Sequence, residues 1–169
     1  MNYITMPQQF TAQAVQTHNA ARAYPLIQIM RSDVSLDAWL AFVAATNTDC
    51  GSTPIKPTSE WPLRGILSIE NERGYIHGLF SYHVAFAIDH KSVLEVSNFV
   101  AVDTADRAGA IKALISAMEE LARTLNCTAI HTQVTGDWAD GEVSASGLSK
   151  HLQNAGHGPN SLNLCKPLH

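Results

Sequence analysis

Charge is scarce in this sequence. Charged residues fill 15% of its 169 positions, against about 25% in an ordinary soluble domain. The formal net charge is −4, a sign with no bulk attraction for a phosphate polymer, so no nucleic-acid partner is expected. Cysteine is scarce as well. Cys50, Cys127 and Cys165 are far apart and odd in number, which excludes a disulfide framework and predicts reduced thiols in a cytoplasmic protein. No apolar run approaches the roughly 18 residues of a membrane span, and Met1-Asn2-Tyr3-Ile4-Thr5 lacks a basic-then-apolar leader, so no membrane partner is expected. Metal-ligand spacing is missing too. The chain has 8 histidines but no His-x-Glu, HExxH or CxxC pattern, and His77 and His83 are about 20 Å apart by strand rise. No catalytic metal is expected. A Ser-His-Asp nucleophile motif and a complete dinucleotide fingerprint are absent from the sequence.

What the chain does have is apolar residues, 46% of it, enough for one buried core and too many for a disordered chain. No repeat or low-complexity tract divides it, so residues 1–169 are read as a single domain. The one shift in composition is the Pro-, Gly- and Ser-rich stretch 47–62, read as a long loop. After an initial strand, Asn19 to Met30 reads as helical, with Pro25 arguing for a break or a helix start there. Ser35 then caps a second helix whose stripe is Leu36, Trp39, Leu40 and Val43.

Beyond the loop the period falls from about 3.6 to two. Arg64 to Ile69 is a strand, and Asn71 to Gly74 a turn. Tyr75 to Ile88 alternates, with Ile76, Phe80, Tyr82, Val84, Phe86 and Ile88 expected on one face and His77, Ser81 and His83 on the other. Val93 to Val102 is the next strand, completing an antiparallel meander. Asp106 to Leu125 is the clearest helix of the chain, with Asp106 as N-cap and Asn126 suited to the left-handed residue that ends it. Cys127 to Val134 follows as a strand, so this strand–helix–strand unit predicts a parallel pair. A short helix, Ser146 to Asn154, and a closing strand near Ser161 to Cys165 complete the order.

That order, with Asn98-Phe99-Val100-Ala101-Val102-Asp103 leading into Asp106-Arg107-Ala108-Gly109-Ala110-Ile111-Lys112 and a tail from Leu152 through Gly156 and His157 to Leu168, resembles the GCN5-related N-acetyltransferases, the GNAT superfamily. The resemblance implies an α+β fold: a mixed sheet with an antiparallel meander, one parallel βαβ crossover and flanking helices. It also implies acetyl-CoA as co-substrate and an acceptor amine, on a small molecule or as an exposed protein amino group; a homodimer is among the assemblies it allows. Val100, Ala101 and Val102 would then lie along the cofactor, and Arg107, Ala108, Gly109, Ala110, Ile111 and Lys112 would form the pyrophosphate loop. Only the central glycine of the family loop is kept. Asp106 stands where the family carries Gln or Arg, Ile111 where it carries Gly or Ala, and Leu152 where a proton-donating tyrosine is common.

Acetyl transfer needs a base for the amine, donors for the thioester oxygen and a path for the thiolate to leave. Glu95 is the lone carboxylate of its strand and the expected base. Alternation groups it with Ser97 and Phe99, opposite Leu94, Val96 and Val100, and among apolar neighbours desolvation would favour its protonated form. His83 is the second candidate for acid–base work, with a polar strand histidine as the plainer reading. Arg107 and Lys112 oppose the helix dipole unless an anion sits there, although Arg107 could equally pair with Asp103 or Asp106. A non-catalytic or regulatory binding module on the same fold remains the alternative function, and a small-molecule hydrolase of another fold using His83 as base a third.

Overall fold

The computed structural model describes residues 10–48, 61–102, 107–133 and 145–158; side chains at 107, 108, 145–147 and 149 are not described. The 49–60 part of the expected loop, the Asp106 cap, Asp103, Cys50, Cys165 and the closing strand at 161–165 lie outside those residues.

The described elements are β1 (Phe10–Ala14), α1 (Ala20–Met30), α2 (Leu36–Asn47), β2 (Arg64–Asn71), β3 (Ile76–Ala85), β4 (Val93–Ala101), α3 (Arg107–Thr124), β5 (Ala129–Thr132) and α4 (Ala145–Asn154). The sheet runs β1-β2-β3-β4-β5. The first three pairings are antiparallel, and β4 with β5 is parallel. This is the meander plus crossover that the switch in period predicts.

Each face of the sheet buries its own core. On one, α3 lays down Ala110, Ile111, Leu114, Ile115, Met118, Leu121, Ala122 and Leu125, joined by Leu148 and Leu152 of α4, against Leu67, Ile69, Phe80, Tyr82, Leu94, Val96 and Phe99. On the other, Ala20, Ala23, Leu26 and Ile27 of α1 and Trp39 and Val43 of α2 cover Ile66, Leu79 and Val100. Each fully buried aliphatic or aromatic side chain contributes about 1.5–3 kcal/mol relative to exposure.

Local signals fix the ends of the helices. The Ser35 side chain accepts the Ala38 amide at 3.2 Å and starts α2. At the end of α3, Asn126 takes φ 56, the Cys127 amide donates to Ala122 O and the Asn126 amide to Arg123 O, which is a Schellman ending. Pro25 neither breaks nor starts α1; it lies inside the helix. Its missing N–H removes one bond to the carbonyl four residues earlier, while burial of Ala23, Leu26 and Ile27 holds the helix across that gap.

Two bulges correct the expected alternation. Between β2 and β3, Ile69 faces Gly78 but Glu70 faces Ile76. The extra β3 residue moves Ile76 to the α1–α2 core, away from Phe80 and Tyr82. His77 stacks edge-on against Phe10, a residue of the α3 side, so it does not share a face with Ser81 and His83. Phe86 and Ile88 are exposed, not on the core face, because β3 ends at Ala85 and the Ala87 amide turns back to His90 O. Between β3 and β4, Leu79 faces Val100 but Ser81 faces Ser97. Three β4 steps therefore match two on β3, and Asn98 absorbs the excess at φ 52. Asn tolerates this left-handed region better than other residues with a Cβ. The slip places Phe99 with Leu94 and Val96 on the α3 side and Val100 on the α1–α2 side, so the expected grouping of Glu95 with Phe99 does not hold.

Candidate active site at the opening between β4 and β5

Strands β4 and β5 run side by side only from Val93 opposite Ala129 to Val96 opposite Thr132, among the described residues. The last bond between them is from the Gln133 amide to Val96 O, 2.8 Å. The Asn98 bulge begins two residues later. Past it, the Val102 amide donates to His77 O on β3. Successive backbone groups of a strand point to opposite edges, so those of Ala101 and Phe99 point away from β3, toward the edge that β5 occupies farther back along β4. Among the described residues, the bulge thus turns strand amides toward a stretch of the β5-side edge past Val96 with no paired neighbour, an opening between the two parallel strands.

At the closed end of that opening, three residues stand at one level across three strands. His83 of β3 is opposite Glu95, and Glu95 is opposite His131 of β5. The Glu95 carboxylate is paired: Nδ1 of His131 lies 3.0 Å from its Oε1, with side-chain exposures of 23% for His131 and 27% for Glu95. Glu95 therefore has imidazoles on both flanks and not the apolar neighbours expected from the strand alone. His90, from the turn after β3, meets the His131 ring edge to face at 5.9 Å.

A hydroxyl cluster fixes the bulge from the same face. Ser81 Oγ lies 2.9 Å from Ser97 Oγ and donates to Ser97 O, while Asn98 Nδ2 donates to Ser81 Oγ at 2.8 Å. Ser81 is buried, so these bonds offset the cost of placing hydroxyls in a core.

The residues expected along the cofactor divide into two kinds. Val100, Ala101, Ala110 and Ile111 have their side chains in the cores, leaving only their backbones to face a ligand. Val102 and Gly109 are half-buried and Lys112 is exposed in the second turn of α3. Arg107 and Ala108 form the first turn of that helix, where the amide end favours an anion. Small residues at 108–110 let a ligand approach the backbone closely. The start of α3 is therefore the part of this run whose backbone favours an anion.

The tail position expected to supply a proton holds Leu152, buried in the α3-side core beneath α4. Tyr82 is no substitute: its hydroxyl donates to Pro62 O at 3.2 Å and burial pushes its ionisation far up. Cys127, a free thiol, is also pushed up by burial and receives a weak bond from Ser92. It is not an activated nucleophile. His157 is half-buried, and its imidazolium is disfavoured by burial despite the nearby Glu119 charge. A separate cavity of about 280 Å³ at the β1–β2 edge, lined by Gln13, Asn47, Trp61 and Tyr82, includes neither Glu95 nor His131. No helix among the described residues is long and apolar enough to cross a membrane.

The sequence singles out Glu95 and the strand that leads to α3; the structure adds His131 as the hydrogen-bond partner of Glu95, and Ser81, Ser97 and Asn98 as the cluster at the bulge. Asn98 was the available signal, an asparagine amid strand-forming residues. His131 needed the register between β4 and β5, which no local pattern encodes.

No protein-family model and no curated protein matches the sequence. Solved structures do match. An acetyltransferase from Trypanosoma brucei aligns at TM-score 0.64 and 16% identity, covering 95% of this chain and 100% of its own. An aminoglycoside N-acetyltransferase in complex with a CoA-S-monomethyl-acetylneamine bisubstrate analogue aligns at TM-score 0.70 and 11% identity, over 95% and 99%. A ribosomal-protein-alanine N-acetyltransferase from Brucella melitensis aligns at 0.68 and 9%, over 95% and 100%. The likeness shows the fold: a mixed sheet with flanking helices, that of the GNAT acyl-CoA N-acyltransferases.

Proposed function

We propose that this protein is an acetyl-CoA-dependent N-acetyltransferase acting on an amine. The observation that carries the reading is the Asn98 bulge, which follows the last β4–β5 pair among the described residues, at Val96, and turns strand amides toward the β5 side. Hydrogen-bond donors held there suit a thioester oxygen that gains negative charge as the amine attacks. The backbones of Val100, Ala101 and Val102 would line the acyl arm, and residues Arg107 to Ile111 would seat the pyrophosphate on the helix start, with Lys112 adding positive charge. Glu95 would take the amine's proton, with His83 beside it as the second candidate. With Leu152 in the core, no side chain is assigned to protonate the thiolate, which would leave as the anion or take a proton from water.

The neighbours named above are described as acting on an aminoglycoside and on a ribosomal-protein alanine. They bracket the two acceptor classes, a small-molecule amine and an exposed protein amino group, both of which stay within this proposal. The cytoplasm is its proposed compartment. A non-catalytic module on the same fold is the second reading, favoured by Leu152 in place of a proton donor. Thermal unfolding with and without acetyl-CoA tests the first step of the enzyme reading. Ligand at 100 times its dissociation constant stabilises the fold by about 2.7 kcal/mol, and calorimetry showing no binding at millimolar ligand overturns the enzyme reading. Steady release of CoA in the presence of an amine then separates enzyme from module.

A further inference from the structure

The Glu95–His131 pair bridges β4 and β5 one residue before the last pair of these strands among the described residues. A carboxylate on a strand can adopt several rotamers, and a base is effective only when its free oxygen is held toward the proton it takes. A carboxylate oxygen and an unprotonated ring nitrogen at 3.0 Å would repel one another, so a proton lies between them. With Glu95 ionised, Nδ1–H of His131 donates to Oε1. That bond fixes the carboxylate plane and leaves Oε2 as the oxygen for the amine's proton.

Resting on the acetyl-transfer reading, we infer that His131 is the positioning residue for Glu95, orienting its carboxylate for proton removal from the acceptor. The ammonium N–H bond breaks and its proton moves to Oε2 of Glu95; the nitrogen lone pair attacks the thioester carbonyl, whose C=O electrons move to oxygen. On collapse the C–S bond breaks, CoA leaves as the thiolate, and the second nitrogen proton passes to that thiolate or to water, while the Nδ1–H bond of His131 stays intact throughout. The titratable neighbours are His83 on β3, His131 on β5, and His90 in the turn with Asp89 beside it, 3.7 Å from the imidazole. From α1 and its end, Arg22 and Arg31 are engaged with Glu70 and Asp33. His131 is thus the neighbour with a direct hydrogen bond to the Glu95 carboxylate among the described residues.

The test is a double-mutant cycle on purified protein with acetyl-CoA and an amine that the wild type accepts. His131→Leu keeps bulk and removes the donor, His131→Gln keeps a neutral donor, and each is made in wild type and in Glu95→Gln. His131→Leu should lower kcat at least about tenfold with KM for acetyl-CoA within about threefold, and His131→Gln should recover most of that loss. In the Glu95→Gln background His131→Leu should cost nothing further. Ring-nitrogen NMR of His131 gives a readout without turnover: its tautomer signature should change on Glu95→Gln. Additive losses, His131→Leu within about threefold of wild type at every pH, or ring signals blind to Glu95→Gln would overturn the inference. A wild type that binds acetyl-CoA and releases none to any amine would instead overturn the acetyl-transfer reading, and this inference with it.

Discussion

The face of the sheet under α3 and the face under α1 and α2 are built from the same strands but carry different side chains. Toward α3 the strands present Leu67, Ile69, Phe80, Tyr82, Leu94, Val96 and Phe99. Toward α1 and α2 they present Ile66, Leu79 and Val100, and interleave them with the buried Ser68 and Ser81 and with Glu95. Each of those polar groups has a partner: Ser68 with Gln13 O, Ser81 with Ser97 and Asn98, Glu95 with His131. The first face is interchangeable with the core of many domains. The second bears paired polar groups, of which Ser81 and Glu95 flank the β4 bulge, so substitutions on the two faces should fail differently.

The largest effect expected is on the stability of the α3 face. Phe80 is fully buried and stacked on Phe99 at 6.1 Å. Phe80→Ala should cost about 3–5 kcal/mol, read as a fall of about 6–20 °C in Tm. Glu95→Gln should do the reverse, leaving Tm and CoA affinity nearly unchanged while kcat falls on the order of 10²–10⁴. If kcat stays within about threefold of wild type at every pH, Glu95 is not the base and His83 takes its place as candidate. Gly78 probes the thin layer between the faces. A Cβ there would strike Leu114 Cδ1 and lie 2.9 Å from Val100 O, so Gly78→Ala should destabilise by about 1–3 kcal/mol in urea unfolding.

How much of this contrast the sequence displays depends on the range of the interactions behind it. α3 is readable because its stripe, its last-turn chemistry and Asn126 all act within a few residues. The switch from period two to period 3.6 near Val102 likewise implies the crossover. Faces beyond a bulge are not readable in the same way, since one extra residue reverses every later side chain; Ile76, Phe99 and His77 were each assigned to the wrong face for that reason. Glu95 could be singled out as the lone carboxylate on its strand. Its partner is 36 positions away and is set by strand register, a tertiary property.

Asn98 sharpens the comparison at smaller amplitude. Asn98→Gly keeps the left-handed backbone and loses the Nδ2 bond to Ser81, a cost of about 0.5–1.5 kcal/mol, whereas Asn98→Val loses that bond and adds about 1–2 kcal/mol of backbone strain. Smaller still is a pH effect at the end of α4. Burial lowers the His157 pKa from the ordinary 6.5, so the folded state disfavours the charged ring. The neutral ring's contribution is complete above 6.5 and is lost as the pH falls below it toward the depressed folded value. Urea midpoints at pH 7.5 and 5.5 should therefore differ less in His157→Gln than in wild type.

The central claim is that the opening beside the Asn98 bulge receives the acyl thioester. Backbone amide NMR of the wild type, titrated with acetyl-CoA and separately with CoA, tests it directly. The account predicts that the amides of Phe99 and Ala101 move with acetyl-CoA and much less with CoA, while the first turn of α3 responds to both. Saturable binding that leaves Phe99 and Ala101 unmoved, or that moves them equally with either ligand, would contradict it.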